Sequence, residues 1–229
     1  MSKGEISGLS IGRALLFDLD GTLTDPFPGL SRSVLSALER MDRPLPAVND
    51  LRFIVGPPIQ QSLGRILQTD DPAEIDRCLK LFRERYSAVG LFENEVYPGI
   101  PGALEVLRGQ GYPLYLATGK PKPFADRILD RFNLAEFFEA TYGSNLSGTR
   151  IEKHEVIEDA LSAHAIRAED ALMIGDREHD ILGAHHHGMS AIGVLYGYGS
   201  RQELEAAGAV ALCISPDQLP ETVGTIATA

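Results

Sequence analysis

The sequence of 229 residues predicts an α/β protein, a doubly wound, Rossmann-like parallel sheet with an inserted α-helical domain. From about residue 98 onward, short apolar runs alternate with helical stretches, and that alternation implies crossovers and a parallel sheet. Between 26 and 97 the pattern is helical without a convincing strand. That is about seventy residues, where an ordinary crossover needs roughly a dozen.

In chain order, Ala14-Leu15-Leu16-Phe17 reads as a buried strand that ends abruptly in Asp18-Leu19-Asp20-Gly21-Thr22-Leu23-Thr24. Leu30, Val34, Leu35, Leu38 and Met41 then fall on one helical face. Ile75, Leu79, Phe82, Tyr86 and Val89 do so again, and such stripes pack against neighbouring helices. After Tyr97-Pro98-Gly99, apolar strands are expected at 114–118, 171–175, 191–194 and 210–214. Helices are expected at 102–110, 122–132, 153–164, 178–187 and 200–207. Gly111, Gly188 and Gly208 sit where helices should terminate. The division is therefore a core of 1–25 and 98–229, with a helical domain over 26–97. The segments near 23–28 and 95–100 are candidate hinges.

Hydrophobic residues make up 44% of the chain and charged residues 23%, as in ordinary globular proteins. The formal net charge of -11 repels a phosphate backbone and argues against nucleic-acid binding. It does not exclude a small phosphorylated ligand, because a bound cation reverses the local field. Cys78 and Cys213 show no pairing pattern and no zinc-site spacing. The segment Met1–Ser10 is polar and lacks the apolar centre of a leader. No apolar run approaches the roughly 18 residues of a membrane span. A cytoplasmic enzyme, monomer or homodimer, is the expectation.

Four local signals carry chemistry. Asp18 and Asp20 close the first strand and offer hard oxygen ligands suited to Mg2+, although Asp-Gly is also ordinary turn chemistry. Thr118-Gly119 ends the strand at 114–118 and places a hydroxyl and backbone amides at one point, a phosphate cradle or a simple turn. Lys153 opens a helix, where the macrodipole disfavours it; it balances phosphate charge or is a solvated surface residue. Gly175-Asp176-Arg177-Glu178-His179-Asp180 ends another strand. Asp180, one helical turn on, can face the same site as Asp176, and Asp176 also suits a helix N-cap. All four lie at carboxyl ends of strands or starts of helices, the edge where an open α/β sheet binds ligands.

These motifs resemble those of the haloacid dehalogenase superfamily of hydrolases, over essentially the whole chain. Asp18-Leu19-Asp20-Gly21-Thr22 is similar to its first motif, and Thr118, Lys153 and 175–180 to its second, third and fourth. The insert resembles its helical cap domain. Val194-Leu195-Tyr196-Gly197-Tyr198-Gly199 resembles the Gly-Tyr-Gly run of phosphoglycolate phosphatase-like members. Asp25-Pro26 departs from the Asp-Ser of many relatives, at the hinge rather than the chemistry.

The resemblance implies a Mg2+-dependent phosphatase acting on a small phosphomonoester, phosphoglycolate first and a nucleoside 5'-monophosphate second, through an aspartyl-phosphate. It implies Asp18 as nucleophile and Asp20 as acid and then base. Asp18, the Asp20 carbonyl and Asp176 would hold the metal, and Thr118, Gly119 and Lys153 the phosphoryl oxygens. Asp180 would orient Lys153 or a metal-bound water.

A sugar phosphomutase with the same intermediate is the alternative. A phospho-acceptor signalling protein is disfavoured because a cap that excludes water serves turnover. A dehalogenase is disfavoured because it has no need of Asp20.

His185-His186-His187 is read as a solvated face or as helix C-terminal cations, since consecutive helical residues diverge and cannot all chelate one ion. His179 is expected to hydrogen-bond near the fourth motif. Gly56-Pro57-Pro58 reads as a simple helix breaker. It also resembles the cap loop that faces the substrate in relatives, and that resemblance implies Arg52 or the neighbours of Gly56 as contacts to the leaving group.

Overall fold

The computed structural model describes residues 14–146, 150 and 152–227; the N-terminal segment 1–10 lies outside the described residues. Strand β1 (Ala14–Phe17) is buried throughout, as a strand covered on both faces must be. It leads to a short strand β2 (Thr24–Asp25) and then to helices α1 (Phe27–Arg40), α2 (Ile59–Leu67) and α3 (Pro72–Ala88). Asp71 starts α3 by accepting the Ala73 N–H at 3.0 Å, with Pro at the first helical position. Strand β3 (Glu95–Val96) returns antiparallel to β2, and the Tyr97 N–H donates to Leu23 O at 3.1 Å. The two segments entering and leaving the helices are thus laced together.

The chain continues as α4 (Ile100–Gly109), β4 (Leu114–Pro121), α5 (Lys122–Arg131) and β5 (Ala140–Ser144). Next come α6 (Lys153–Ala163), β6 (Ala171–Gly175), α7 (Glu178–His185) and β7 (Ser190–Val194). The last elements are α8 (Arg201–Ala206), β8 (Ala211–Cys213) and α9 (Leu219–Ala227). The main sheet has six strands in the order β5-β4-β1-β6-β7-β8, all paired parallel. Gly111, Gly188 and Gly208 have φ of 88°, 75° and 91°, the left-handed conformation expected after a helix.

Alternation along β1 divides the core. Leu15 and Phe17 pack with apolar residues of the helical insert, α4 and α5, whereas Ala14 and Leu16 pack with Val156, Ile157 and Ile181 of α6 and α7. The two stripes of the insert are mostly buried, with one correction. Val89 is 51% exposed, because α3 stops at Ala88 and Val89 leaves the helical path with φ −131°. Cys78 and Cys213 are both buried and unpaired. No helix among the described residues is long and apolar enough to cross a membrane. The chain runs from β1 out to β4 and β5, then back to β6 on the other side of β1. That reversal opens a crevice at the carboxyl ends of β4, β1 and β6.

Candidate active site

Asp18 leaves β1 with its N–H donated to Ile174 O of β6 at 2.9 Å. The turn behind it closes through Gly21 N–H to Thr24 O at 2.8 Å and Leu23 N–H to Leu19 O at 2.9 Å. Gly21 has φ +90°, and a Cβ there would lie 2.2 Å from Asp176 Oδ2. Glycine is therefore required both for the backbone and for the close approach of the Asp176 carboxylate. Asp176 follows β6 and is 0% exposed. The Tyr198 N–H donates to its Oδ2 at 2.8 Å. A Cβ on Gly197 would lie 2.4 Å from Asp176 Cβ, and one on Gly199 2.0 Å from Asp176 O. The Gly-Tyr-Gly run is thus what allows the loop after β7 to wrap this carboxylate.

Lys153, the first residue of α6, is turned inward with its side chain 8% exposed. Its Nζ lies 2.7 Å from Asp18 Oδ1 and 2.7 Å from Asp180 Oδ1, and donates to Ala117 O at 3.0 Å. Asp180 accepts the Arg177 N–H at 3.1 Å on its other oxygen. Burial opposes the charge on Lys153, but Asp18 and Asp180 outweigh it and hold the ammonium above the usual lysine range. Burial raises the Asp180 carboxyl against the pull of Lys153.

The Asp176 carboxyl is pushed well above its ordinary range, first by burial and then by repulsion from Asp180 and Asp18. Oxygens of Asp18, Asp176 and Asp180 all lie within 4.8 Å of one another. Lys153 is the cation that contacts this group, and it touches Asp18 and Asp180 but makes no ion pair with Asp176 among the described residues. A buried carboxylate that is left without a cation, beside a second one and within reach of hard oxygens, fits a divalent metal such as Mg2+.

Asp18, Asp20, Thr118, Gly119, Lys153 and Asp180 line one cavity. Asp176 is fully buried and is not part of its lining. Thr118 is buried at the end of β4, and its Oγ1 accepts the Lys120 N–H at 3.3 Å. Gly119 O accepts a hydrogen bond from Ser144 Oγ at 2.7 Å. The far side of the cavity comes from the helical insert, with Leu30, Ile54, Phe82, Arg83 and Tyr86.

The residue that sequence reasoning missed is Lys120. Its Nζ lies 2.7 Å from Asp20 Oδ2 and donates to Tyr86 OH at 2.6 Å. Burial raises the Asp20 carboxyl against the opposing pull of Lys120. One available signal was its place two residues beyond Thr118, at the carboxyl end of the strand where an open sheet gathers its site. Arg177 was also unassigned. Its Nε donates to Glu203 at 2.7 Å and its Nη1 to Val55 O at 2.6 Å, which ties the loop at Gly56 to the fourth motif.

Arg52 departs from the sequence expectation. Its guanidinium lies 4.6 Å from the Tyr198 ring centroid and 5.7 Å from that of Phe27, outside the cavity lining, because these aromatic faces attract the cation. Gly56, Pro57 and Pro58 do line the cavity, as does His179, which is exposed. His185 and His186 are exposed, and the half-buried His187 Nε2 lies 2.8 Å from His154 O.

Comparison with known proteins bears directly on this arrangement. The sequence pattern described as "Haloacid dehalogenase-like hydrolase" matches residues 15–194. A "5'-nucleotidase" of Pseudomonas aeruginosa is 46% identical over 192 residues, covering 84% of this chain and 86% of that protein. "Tyrosine-protein kinase PtkA" of Mycobacterium tuberculosis is 35% identical over 212 residues, covering 92% of this chain and 72% of that protein. The crystal structure of "a predicted phosphatase" from Clostridium acetobutylicum superposes with a TM-score of 0.88 at 38% identity, covering 96% of this chain and 100% of the other.

Proposed function

The chain belongs to the haloacid dehalogenase-like hydrolases, and from that premise we propose that it is a Mg2+-dependent phosphomonoesterase working through an aspartyl-phosphate. The observation that carries this reading is the buried group of Asp18, Asp176 and Asp180, with Lys153 bridging two of them at the floor of a lined cavity. The segment 26–97 acts as a cap over a core of 1–25 and 98–229. The substrate is a small cytoplasmic phosphorylated metabolite, and the enzyme works as a monomer or homodimer.

Asp18 attacks phosphorus, and the bond from phosphorus to the leaving oxygen breaks. Asp20 supplies the proton that this oxygen needs. It then takes one from the water that attacks the aspartyl-phosphate, which frees phosphate and restores Asp18. Thr118, the Gly119 amide and Lys153 hold the phosphoryl oxygens as charge moves onto them. Asp180 keeps Lys153 aimed at Asp18. The Asp18 and Asp176 carboxylates, with the Asp20 backbone carbonyl, would hold Mg2+, which offsets the repulsion between Asp18 and the incoming phosphate.

The cavity joins an apolar wall that includes Phe82 and Phe124 to Arg83, a second arginine besides Arg177, which is tied to Glu203 and Val55 O. Arg83 suits the carboxylate of phosphoglycolate. The aromatic wall suits the base of a nucleoside 5'-monophosphate, and the Pseudomonas aeruginosa relative is named for that class.

The test is phosphate release from both substrates, with Mg2+ and with excess chelator, by the parent and by Asp18→Asn. Metal-dependent release by the parent alone is expected. Stable phosphorylation of Asp18 without free phosphate would move the acceptor from water to a hydroxyl. A phosphomutase works that way, and the name of the Mycobacterium tuberculosis relative also implies a hydroxyl acceptor.

A further inference from the structure

Lys120 carries a buried ammonium for which the mechanism above has no use. Its side chain is 4% exposed, and a buried cation is costly unless it is paired and hydrogen-bonded. Its two partners come from opposite sides of the cavity. Asp20 lies on the turn behind β1, in the core, and contributes Oδ2 at 2.7 Å. Tyr86 lies on α3, in the helical insert, and contributes its hydroxyl at 2.6 Å. The pairing of β4 with β5 slips between Thr118 and Pro121. Lys120 falls within that irregularity, of the kind that re-aims a side chain next to a site.

Tyr86 is itself fixed. Its ring stacks on Phe82 with centroids 5.1 Å apart and meets Phe124 of α5 edge-on at 5.8 Å. The hydroxyl that Lys120 reaches is therefore held by an aromatic cluster spanning insert and core. The two oxygens of Asp20 differ sharply. Lys120 occupies Oδ2, whereas Oδ1 is buried and has no hydrogen-bond partner among the described residues. A buried acceptor left open beside a reaction cavity is available to the reacting oxygen.

We propose that Lys120 and Tyr86 are positioning residues that aim Asp20. Tyr86 anchors the Lys120 ammonium, Lys120 holds Asp20 Oδ2, and Oδ1 is thereby presented to the leaving oxygen and then to the attacking water. Because Tyr86 belongs to α3, the acid/base is fully aimed only when the insert lies over the core. Closure and proton transfer thus become one structural event. The inference rests on the assignment of Asp20 as acid and base.

The test compares two probes. One is phosphoglycolate or adenosine 5'-monophosphate, whichever the parent hydrolyses faster; its alkoxide must be protonated to leave. The other is p-nitrophenyl phosphate, whose phenolate leaves without a proton. Tyr86→Phe removes one oxygen and keeps the aromatic stack, so the fold is retained; far-UV circular dichroism checks this.

Loss of a hydrogen bond to a charged group predicts that kcat on the alkyl ester falls by about tenfold or more. KM should stay within about twofold, as for an interaction made in the transition state. The burst of p-nitrophenol should stay near the parental rate. Lys120→Met should behave alike and more severely. Adding Tyr86→Phe to it should cost nothing further, since Tyr86 acts through Lys120.

Parental kcat in Tyr86→Phe overturns the inference. So does a rise in KM alone, which would make Tyr86 a substrate contact, and so does a p-nitrophenol burst slowed as much as kcat on the alkyl ester. Multiplicative losses in the double variant overturn it as well. Failure of the phosphatase reading itself shows separately, as metal-dependent phosphate release absent from the parent.

Discussion

Asp176→Asn should stabilise the metal-free protein and remove its response to Mg2+. In the parent, Asp176 is fully buried, and its carboxylate lies within 4.8 Å of those of Asp18 and Asp180. At an effective dielectric of about 20, two unit charges at that separation repel by roughly 3.5 kcal/mol. Lys153 contacts both neighbours and cancels about one of the two repulsions, which leaves about 3.5 kcal/mol. The substitution weakens the hydrogen bond from the Tyr198 N–H by roughly 1.5 kcal/mol, because a charged acceptor becomes neutral. The net gain is about 2 kcal/mol, or roughly 4–8 °C in Tm for a chain of this size.

The gain has a defined pH dependence. Below the ordinary aspartate value of 3.8 Asp176 is protonated whether the chain is folded or not, so the repulsion is absent and the variant holds no advantage. As pH rises past that value, the unfolded chain ionises freely while folded Asp176 keeps its proton. The parent loses up to about 1.4 kcal/mol per pH unit until its own raised pKa is passed. The assay is thermal melting from pH 4 to pH 8, with chelator and with Mg2+. At pH 8, Mg2+ at about a hundred times its dissociation constant should stabilise the parent by roughly 2.7 kcal/mol and the variant by much less. If Asp176→Asn melts at or below the parent at pH 8 in chelator, the carboxylates are not in electrostatic conflict and the argument for a built cation site fails.

Asp18→Asn should abolish phosphate release and leave the circular dichroism spectrum unchanged; activity near the parental level would remove Asp18 as nucleophile. Lys153→Met should lower kcat/KM by about 10²-fold or more, the usual loss on removing a charge-stabilising donor. It should also lower Tm, because Asp18 and Asp180 lose their shared cation; steady-state kinetics and melting check both halves. Gly197→Ala would drive a Cβ to within 2.4 Å of Asp176 Cβ. Displacing a supporting loop of this kind should weaken the apparent affinity for Mg2+ by about 10–100-fold, as read from activity titrations.

The parts of the site that the sequence made legible are those in which local chain geometry and chemistry coincide. Asp18, Thr118 and Asp176 each end an apolar run, and a parallel sheet necessarily gathers the carboxyl ends of its strands at one edge. Lys153 was readable because its position at a helix start conflicts with the macrodipole, and the conflict is resolved by two carboxylates at 2.7 Å. Strand β5 was not readable. Ala140-Thr141-Tyr142-Gly143-Ser144 has no apolar run, since it is an edge strand, half-buried over most of its length. Its place is set by pairing with β4.

Of the candidates offered around the cap loop, the neighbours of Gly56 line the cavity and Arg52 does not. The faces of Tyr198 and Phe27 that draw it away come from distant segments. Lys120 is the sharpest case. Its carboxylate partner lies on the first turn of the core, and its phenol partner is on a helix 34 residues earlier in the chain. A long side chain on a strand end can point to solvent, to phosphate or to a neighbouring carboxylate, and what decides among these is the helix packed above it. Contacts between insert and core are therefore the part of this site that local pattern cannot supply.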